Sequence, residues 1–311
     1  MAKPFRFGVQ CGPVASGSEF GARVRAIEAS GYSTLFVPDH FIDQQLSPMV
    51  ALAAAAEATT TLRVGTLVLG NDYRHPAAVA KEAATIDLLS DGRIELGIGA
   101  GWMTSDYDAL DLVYDSPGTR IARLAEAIAV IKGCWSPGAF SFSGEHYTIA
   151  AYDATPKPVQ EPHPPVLVGG GGRKVLSLAG READIAGINP NLRAGALTAD
   201  AVQSSLADLT AQKIEWVREA AGERFDEIEL QIRYFLTAVT DDRRGLAEAL
   251  APAYGLTADE ALESGVALVG TVDEICDQLV QRRDEWGVSY VIIGDDNVEA
   301  FAPVVARLAG T

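Results

Sequence analysis

Short apolar runs alternate along the whole chain with longer stretches whose hydrophobic residues recur every three or four positions. The short runs at 5–9, 34–38, 62–69, 93–98, 165–168, 184–188, 229–239 and 289–293 predict strands. The periodic stretches between them predict helices near 19–30, 48–59, 76–89, 120–135, 173–180, 199–221, 271–285 and 298–308. Within 120–135, Ile121, Leu124, Ile128 and Ile131 share one face while Arg123, Glu126 and Lys132 take others, the stripe of a helix packed on a sheet. The run 62–69 is almost wholly apolar after Arg63, as a parallel strand covered on both faces requires. Eight strand-helix units joined by right-handed crossovers need ~250 residues to close a barrel. The chain has 311, which predicts one α/β domain over 1–311, a (β/α)8 TIM barrel with insertions. The surplus falls at 136–164, where 140–149 reads as a hairpin around Gly144, and at 242–270, where Ala and Leu spacing looks helical. The stretch 102–117 reads as a polar loop.

Composition narrows the class. A formal net charge of -17 disfavours a general affinity for nucleic-acid phosphates, although a local basic pocket is compatible with it. The first residues alternate apolar and charged positions, which reads as a strand and not a signal peptide, and no run is long enough to span a bilayer. Cys11, Cys134 and Cys276 are scattered and form no C-x-x-C pair, so neither a disulfide framework nor a metal site is expected, and a reducing cytoplasm suits them.

Three clusters carry candidate chemistry. Pro38-Asp39-His40-Phe41 leaves the second strand at the end where barrel enzymes keep their reacting groups. An acid beside an imidazole can orient a cofactor and move a proton near neutral pH; alternatively, Asp39 caps a turn and His40 is a packing residue. Gly97-Ile98-Gly99-Ala100-Gly101-Trp102 follows the fourth strand, where glycines let the backbone approach a planar ligand and Trp102 walls it. Its G-x-G-x-G spacing departs from the dinucleotide fingerprint. Gly169-Gly170-Gly171-Gly172-Arg173-Lys174 runs from the fifth strand into a helix start, where backbone N–H groups and Arg173 would hold a phosphate. A flexible turn explains four glycines poorly, given the entropy each loses on ordering. On this reading a Val at Gly170 or Gly171 would leave the fold intact and block the phosphate. His75 is a further candidate, or else the cap of the helix that Pro76 begins. No G-x-S-x-G or H-E-x-x-H motif supports hydrolysis.

With these clusters in order, and with Val64-Gly65-Thr66-Leu67-Val68-Leu69, Tyr73-Arg74-His75-Pro76 and Val269-Gly270-Thr271 between and after them, the chain resembles the luciferase-like monooxygenase superfamily. It is most similar there to the branch of coenzyme F420-dependent oxidoreductases. The resemblance implies a bacterial-luciferase-like barrel with a deazaflavin or flavin across its mouth, a small-molecule substrate and a homodimer. It implies His40 as proton acceptor, Asp39 as a cofactor contact, and a non-prolyl cis peptide at Leu67-Val68 behind the ring. Gly99, Trp102 and Ser105 would join the cofactor site, with Gly169, Gly170, Gly171, Gly172 and Arg173 on its phosphate. Trp102 and Ser105 replace the Glu and Asn of the sugar-phosphate dehydrogenases, which argues against that substrate. The expected activity is hydride transfer between F420 and an organic substrate. The alternative is an FMN-dependent monooxygenase using reduced flavin and oxygen, and a third reading is a cofactor-holding relative without chemistry.

Overall fold

In the computed structural model, which describes residues 2–42 and 44–311, eight parallel strands close into a barrel. They are β1 Arg6–Gln10, β2 Thr34–Val37, β3 Arg63–Thr66, β4 Ile94–Gly99, β5 Val166–Gly170, β6 Ile185–Ile188, β7 Glu229–Arg233 and β8 Val288–Gly294. The order runs β3-β2-β1-β8-β7-β6-β5-β4, and β4 returns to β3 through Val64 opposite Ile94 and Gly65 opposite Glu95. The predicted barrel is therefore present. Helices wrap it as the apolar periodicity demands: Pro117–Trp135 buries Leu124, Ile128 and Ile131, with Ile121 packed at the edge of that layer. Cys11, Cys134 and Cys276 are buried and unpaired, and no helix among the described residues is long and apolar enough to cross a membrane.

Several elements depart from the pattern reading. The run 62–69 is interrupted by a cis Leu67-Val68 peptide, after which Leu69–Gly70 resumes pairing with β4. The run 229–239 is two strands: past Arg233 the buried Tyr234 turns the chain, donating its N–H to the Ile292 carbonyl. Leu236–Val239 then pairs in parallel with Ala267–Gly270 outside the barrel. The predicted helix 199–221 is divided into Ala199–Gln203 and Ala207–Ala221, because the Ser204 hydroxyl bonds the Ala201 carbonyl at 2.6 Å and holds the Asn191 N–H at 2.7 Å. The stretch 102–117 contains a short helix, Thr104–Ala109. The excursions follow expectation in part: Phe140–Ser143 and Thr148–Tyr152 form the hairpin, while 242–270 holds helices Arg243–Leu250 and Ala258–Glu263 before ending in a strand.

At the amino ends of the strands lies a charge cluster. Glu95 on β4 has no solvent exposure and accepts from Arg6 Nη1 on β1 at 2.8 Å, Arg63 Nε on β3 at 2.6 Å and the Tyr290 hydroxyl on β8 at 3.0 Å. Arg6 also forks onto Glu229 of β7 at 3.0 and 2.6 Å, with its guanidinium 4.0 Å above the Tyr290 ring. Burial pushes the Glu95 carboxyl up, but Arg6 and Arg63 outweigh it and hold the group below the usual carboxylate range. Five strands are thereby joined at one end of the barrel.

Removing one partner of a buried charge pair costs ~3–5 kcal/mol, so Glu95→Ala is expected to lower the urea midpoint accordingly, with the slope of unfolding unchanged. Because the folded-state pKa is depressed, the Glu95 contribution is complete above the ordinary carboxylate value and is lost as pH falls through the folded one. Acid titration of stability should therefore be shallower in Glu95→Ala than in the parent; equal slopes would rule out an ionised Glu95.

Candidate active site

At the opposite, carboxyl end of the strands is a cavity of about 450 Å³. Its wall is contributed strand by strand: Gln10 ends β1, Asp39 and His40 follow β2, and Leu67 to Gly70 continue β3. Gly99 to Trp102 leave β4, Gly169 to Arg173 leave β5, Asn189 follows β6 and Arg233 ends β7. The candidate residues His40, Asp39, Leu67, Val68, Gly99, Trp102, Gly169, Gly170, Gly171, Gly172 and Arg173 are thus brought together. Ser105 is not: it is exposed on the helix Thr104–Ala109, outside the lining.

His40 is held by a residue that pattern reading does not reveal. Its Nδ1 lies 2.7 Å from Asp106 Oδ2, and the other Asp106 oxygen accepts the Phe41 and Ile42 N–H groups at 2.9 and 3.0 Å. The Tyr73 hydroxyl donates to the same carboxylate at 3.3 Å. Asp106 is fully buried; burial pushes its carboxyl up, but His40 and the two amides more than offset this and leave it below its usual range. Burial and Asp106 also push the Tyr73 phenol well above its ordinary value, so it remains a donor. An ionised Asp106 accepts from Nδ1–H and leaves His40 Nε2 as the free ring nitrogen. Trp102 stands edge-on to the imidazole, ring centres 5.3 Å apart.

Asp39 is differently engaged. Arg74 straddles its carboxylate, with Nη2 at 2.9 Å from Oδ1 and Nη1 on Oδ2, and the Gly70 N–H reaches Oδ2 at 3.0 Å. Both oxygens serve the wall, fastening the end of β3 to that of β2. His75, the other histidine weighed above, is the helix cap: its Nδ1 accepts the Ala77 N–H at 3.2 Å ahead of Pro76.

The glycine run requires a correction. A Cβ on Gly171 would sit 2.1 Å from the Pro190 carbonyl oxygen, and one on Gly170 would sit 2.2 Å from Val175 Cγ1. These two glycines admit the protein's own chain, so a Val at either would disturb the fold as well as any ligand. Gly172 is the open position, with nothing within 4 Å of its added Cβ. It precedes the helix Arg173–Glu182, whose first turn carries no side-chain cap. Arg173 points its guanidinium to Glu219 at 3.0 Å and is mostly exposed, so the helix end and not this side chain is the better anion donor. Gly171→Ala is expected to lose ~1–3 kcal/mol of stability through overpacking, whereas Gly172→Ala should melt within ~0.5 kcal/mol of the parent. Thermal unfolding of the two variants checks the assignment; equal melting temperatures would refute it.

Residues 4–290 match the family described as luciferase-like monooxygenase. The chain is 33% identical over 149 residues to the FMNH(2)-dependent dimethylsulfone monooxygenase of Pseudomonas putida, covering 48% of this chain and 41% of that one. It is 32% identical over 192 residues to the F420-dependent glucose-6-phosphate dehydrogenase of Amycolatopsis mediterranei (strain U-32), covering 57% and 56%. The matches thus span about half the length of these two curated relatives, 41% and 56%. The solved coenzyme F420-dependent tetrahydromethanopterin reductase from Methanopyrus kandleri shares the fold, with a TM-score of 0.75 at 19% identity over 98% of this chain and 99% of that one. With its barrel closed, its mouth assembled from the motifs that follow the strands, and nearly its whole length matched, the chain belongs to the luciferase-like monooxygenase family.

Proposed function

We propose that the chain is an F420-dependent oxidoreductase that moves a hydride between the deazaflavin and a small organic substrate. The observation that carries this reading is the His40–Asp106 pair at the cavity mouth, 2.7 Å apart. Hydride transfer to or from a carbonyl or alcohol leaves one proton to be supplied or removed. An imidazole whose Nδ1 is fixed on a buried carboxylate offers Nε2 for that proton, and the carboxylate stabilises the imidazolium that results. The Amycolatopsis relative, which carries an F420-dependent name, supports the same cofactor.

The residues present fit such a cofactor. Gly99 and Gly169 line the cavity where a flat ring would lie, and the missing side chain of Gly99 lets Val68 pack there, since a Cβ would come within 2.8 Å of Val68 Cγ2. An uncapped helix end at Gly172 suits a phosphate. Leu67, Val68, Gly99 and Trp102 would therefore hold the ring system, and Gly169 to Gly172 the phosphate. The deazaflavin, when bound, supplies or takes up the hydride. The chain's part is to orient the two reactants, exclude water with Trp102 and the apolar β3 end, and move a proton at His40 Nε2. Asp39 acts on the cofactor through Arg74 and Gly70, by fixing the wall.

The relative from Pseudomonas putida supports the second reading, an FMN-dependent monooxygenase. Titration with each cofactor separates them. A ligand bound at ~100 times its Kd stabilises the fold by ~2.7 kcal/mol, so F420 should raise the melting temperature well above what equal FMN does. Protection by FMN alone would transfer the assignment to the monooxygenase. With F420 bound and a substrate found by screening, His40→Ala is expected to hold cofactor affinity within a few-fold while turnover drops ~10²–10⁴-fold. Asp106→Asn should lower turnover too, since an amide does not stabilise the imidazolium. Wild-type turnover and pH profile in His40→Ala would remove the histidine from the chemistry.

A further inference from the structure

The cavity holds a second polar pair that the reading above does not use. Arg233, the last residue of β7, donates Nε–H to Gln10 Oε1 at 2.7 Å, and Gln10 is the last residue of β1. β8 runs between these strands and ends in Gly294, the register partner of Gln10. A Cβ at Gly294 would meet Asp296 Oδ1 at 2.5 Å and Arg233 Nη2 at 3.2 Å, so the missing side chain leaves room for both the Asp296 carboxylate and the guanidinium that reaches across β8.

What this guanidinium lacks is a carboxylate in direct contact. Among the described residues no carboxylate oxygen lies within 4.0 Å of it; Nη1 bonds the Tyr234 carbonyl and Nη2 has no partner. Other arginines without carboxylate partners divide: Arg120 and Arg193 also line the cavity, Arg120 with Nη1 on the Gly101 carbonyl and its guanidinium 3.9 Å from the Tyr114 ring centre, whereas the rest lie outside it. Arg224 and Arg282 put both Nη atoms on main-chain carbonyls, and Arg93 does so with a hydroxyl besides; none of the three lines the cavity. Burial pulls the Arg233 guanidinium down to about 10, an effect that the charges of Asp296 and Asp295 only partly offset. Gln10 spends its carbonyl on Arg233 and so turns its amide N–H₂ outward as a second donor. The surroundings agree in sign. The chain carries a net charge of -17, yet the cavity wall includes Arg120, Lys174, Arg193 and Arg233, and Arg173 paired with Glu219, against one acid, Asp39, already paired with Arg74. Such a mouth concentrates anions that the rest of the surface repels.

We propose that Arg233 and Gln10 form a carboxylate seat, and that the substrate is an organic acid held by its carboxylate on the β1/β7 side while its reacting carbon faces His40. The substrate class rests on the hydride-transfer reading; the seat itself does not. Neither residue takes part in the proton transfer: both position the substrate. A half-buried cation with no carboxylate in contact gains more from an anion than from a neutral hydrogen-bond acceptor, because pairing offsets the desolvation it already bears.

The test uses the purified full chain and straight-chain carboxylates from acetate to decanoate, each against its own primary amide at constant ionic strength, with binding read by calorimetry. A hydrogen bond to a charged group contributes ~1.5–3 kcal/mol, so at least one carboxylate should bind ~10-fold or more tightly than its amide. That preference should vanish in Arg233→Gln. It should vanish equally in Gln10→Glu, which keeps the side-chain volume, supplies an internal counterion to the guanidinium and guards against a misfolded arginine variant. Circular dichroism confirms the fold of both. A parent that binds acid and amide alike, or a preference that survives either substitution in a folded protein, overturns the seat. F420 titration on the same samples keeps the two claims apart. Carboxylate preference without F420 binding would discard the cofactor reading and leave the seat standing, and the reverse pattern would discard the seat alone.

Discussion

An ionised carboxylate shut away from water survives only where cations reach it, and Glu95 imposes that condition on the barrel. Its two oxygens draw in Arg6, Arg63 and Tyr290, and Arg6 in turn engages Glu229, so β1, β3, β4, β7 and β8 meet on one charge. The carboxylate is satisfied only when the strand ends converge, which makes closure and charge compensation the same event. This cluster lies at the amino ends, away from the cavity. The carboxyl ends are thereby released from holding the barrel together, and can end in glycines, an open helix terminus and unpaired donors.

The mouth uses the main chain where other sites use side chains. Gly70, Gly99 and the run from Gly169 to Gly172 leave backbone facing the cavity, and three of the polar side chains beside them are fastened. Asp39 is tied by Arg74, His40 by Asp106, and Arg233 by Gln10. Each tie joins segments that follow different strands, so the relative position of the functional groups follows from barrel registry together with the loops that carry Arg74 and Asp106. On the proposed function the cofactor would lie on the β3 to β5 side, and the donors on the β1 and β7 side would remain for a substrate.

The architecture was legible because a parallel strand covered on both faces leaves an apolar run, and a helix on its outside leaves a stripe of period 3.6. What eluded that reading has a physical reason in each case. Nothing in the run 229–239 marks where pairing passes from Ile185–Ile188 to Ala267–Gly270, since both partners accept the same β-rich sequence. Asp106 meets His40 across 66 positions, a contact that only closure creates. The glycines at 170 and 171 do signal a close approach, but composition does not say by what, and Pro190 and Val175 are the neighbours. Ser105 suggested itself by alignment to a motif, and the turn of the helix Thr104–Ala109 carries it outward while burying Asp106. Arg233 was hidden as one cation within a strand, its meaning set by the absence of an acid in direct contact.

Asp106 serves two clients with one carboxylate: an imidazole on Oδ2 and the Phe41 and Ile42 amides on Oδ1. The segment that follows β2 and the ring that would handle the proton are therefore ordered together or not at all. Drift in this lineage meets the two as a single heritable unit: only a residue that still accepts from the Phe41 and Ile42 amides, as Asn does, can change the base and spare the loop. Arg233 and Gln10 across the mouth are tied to each other and not to the segment after β2, so specificity can change there without disturbing His40.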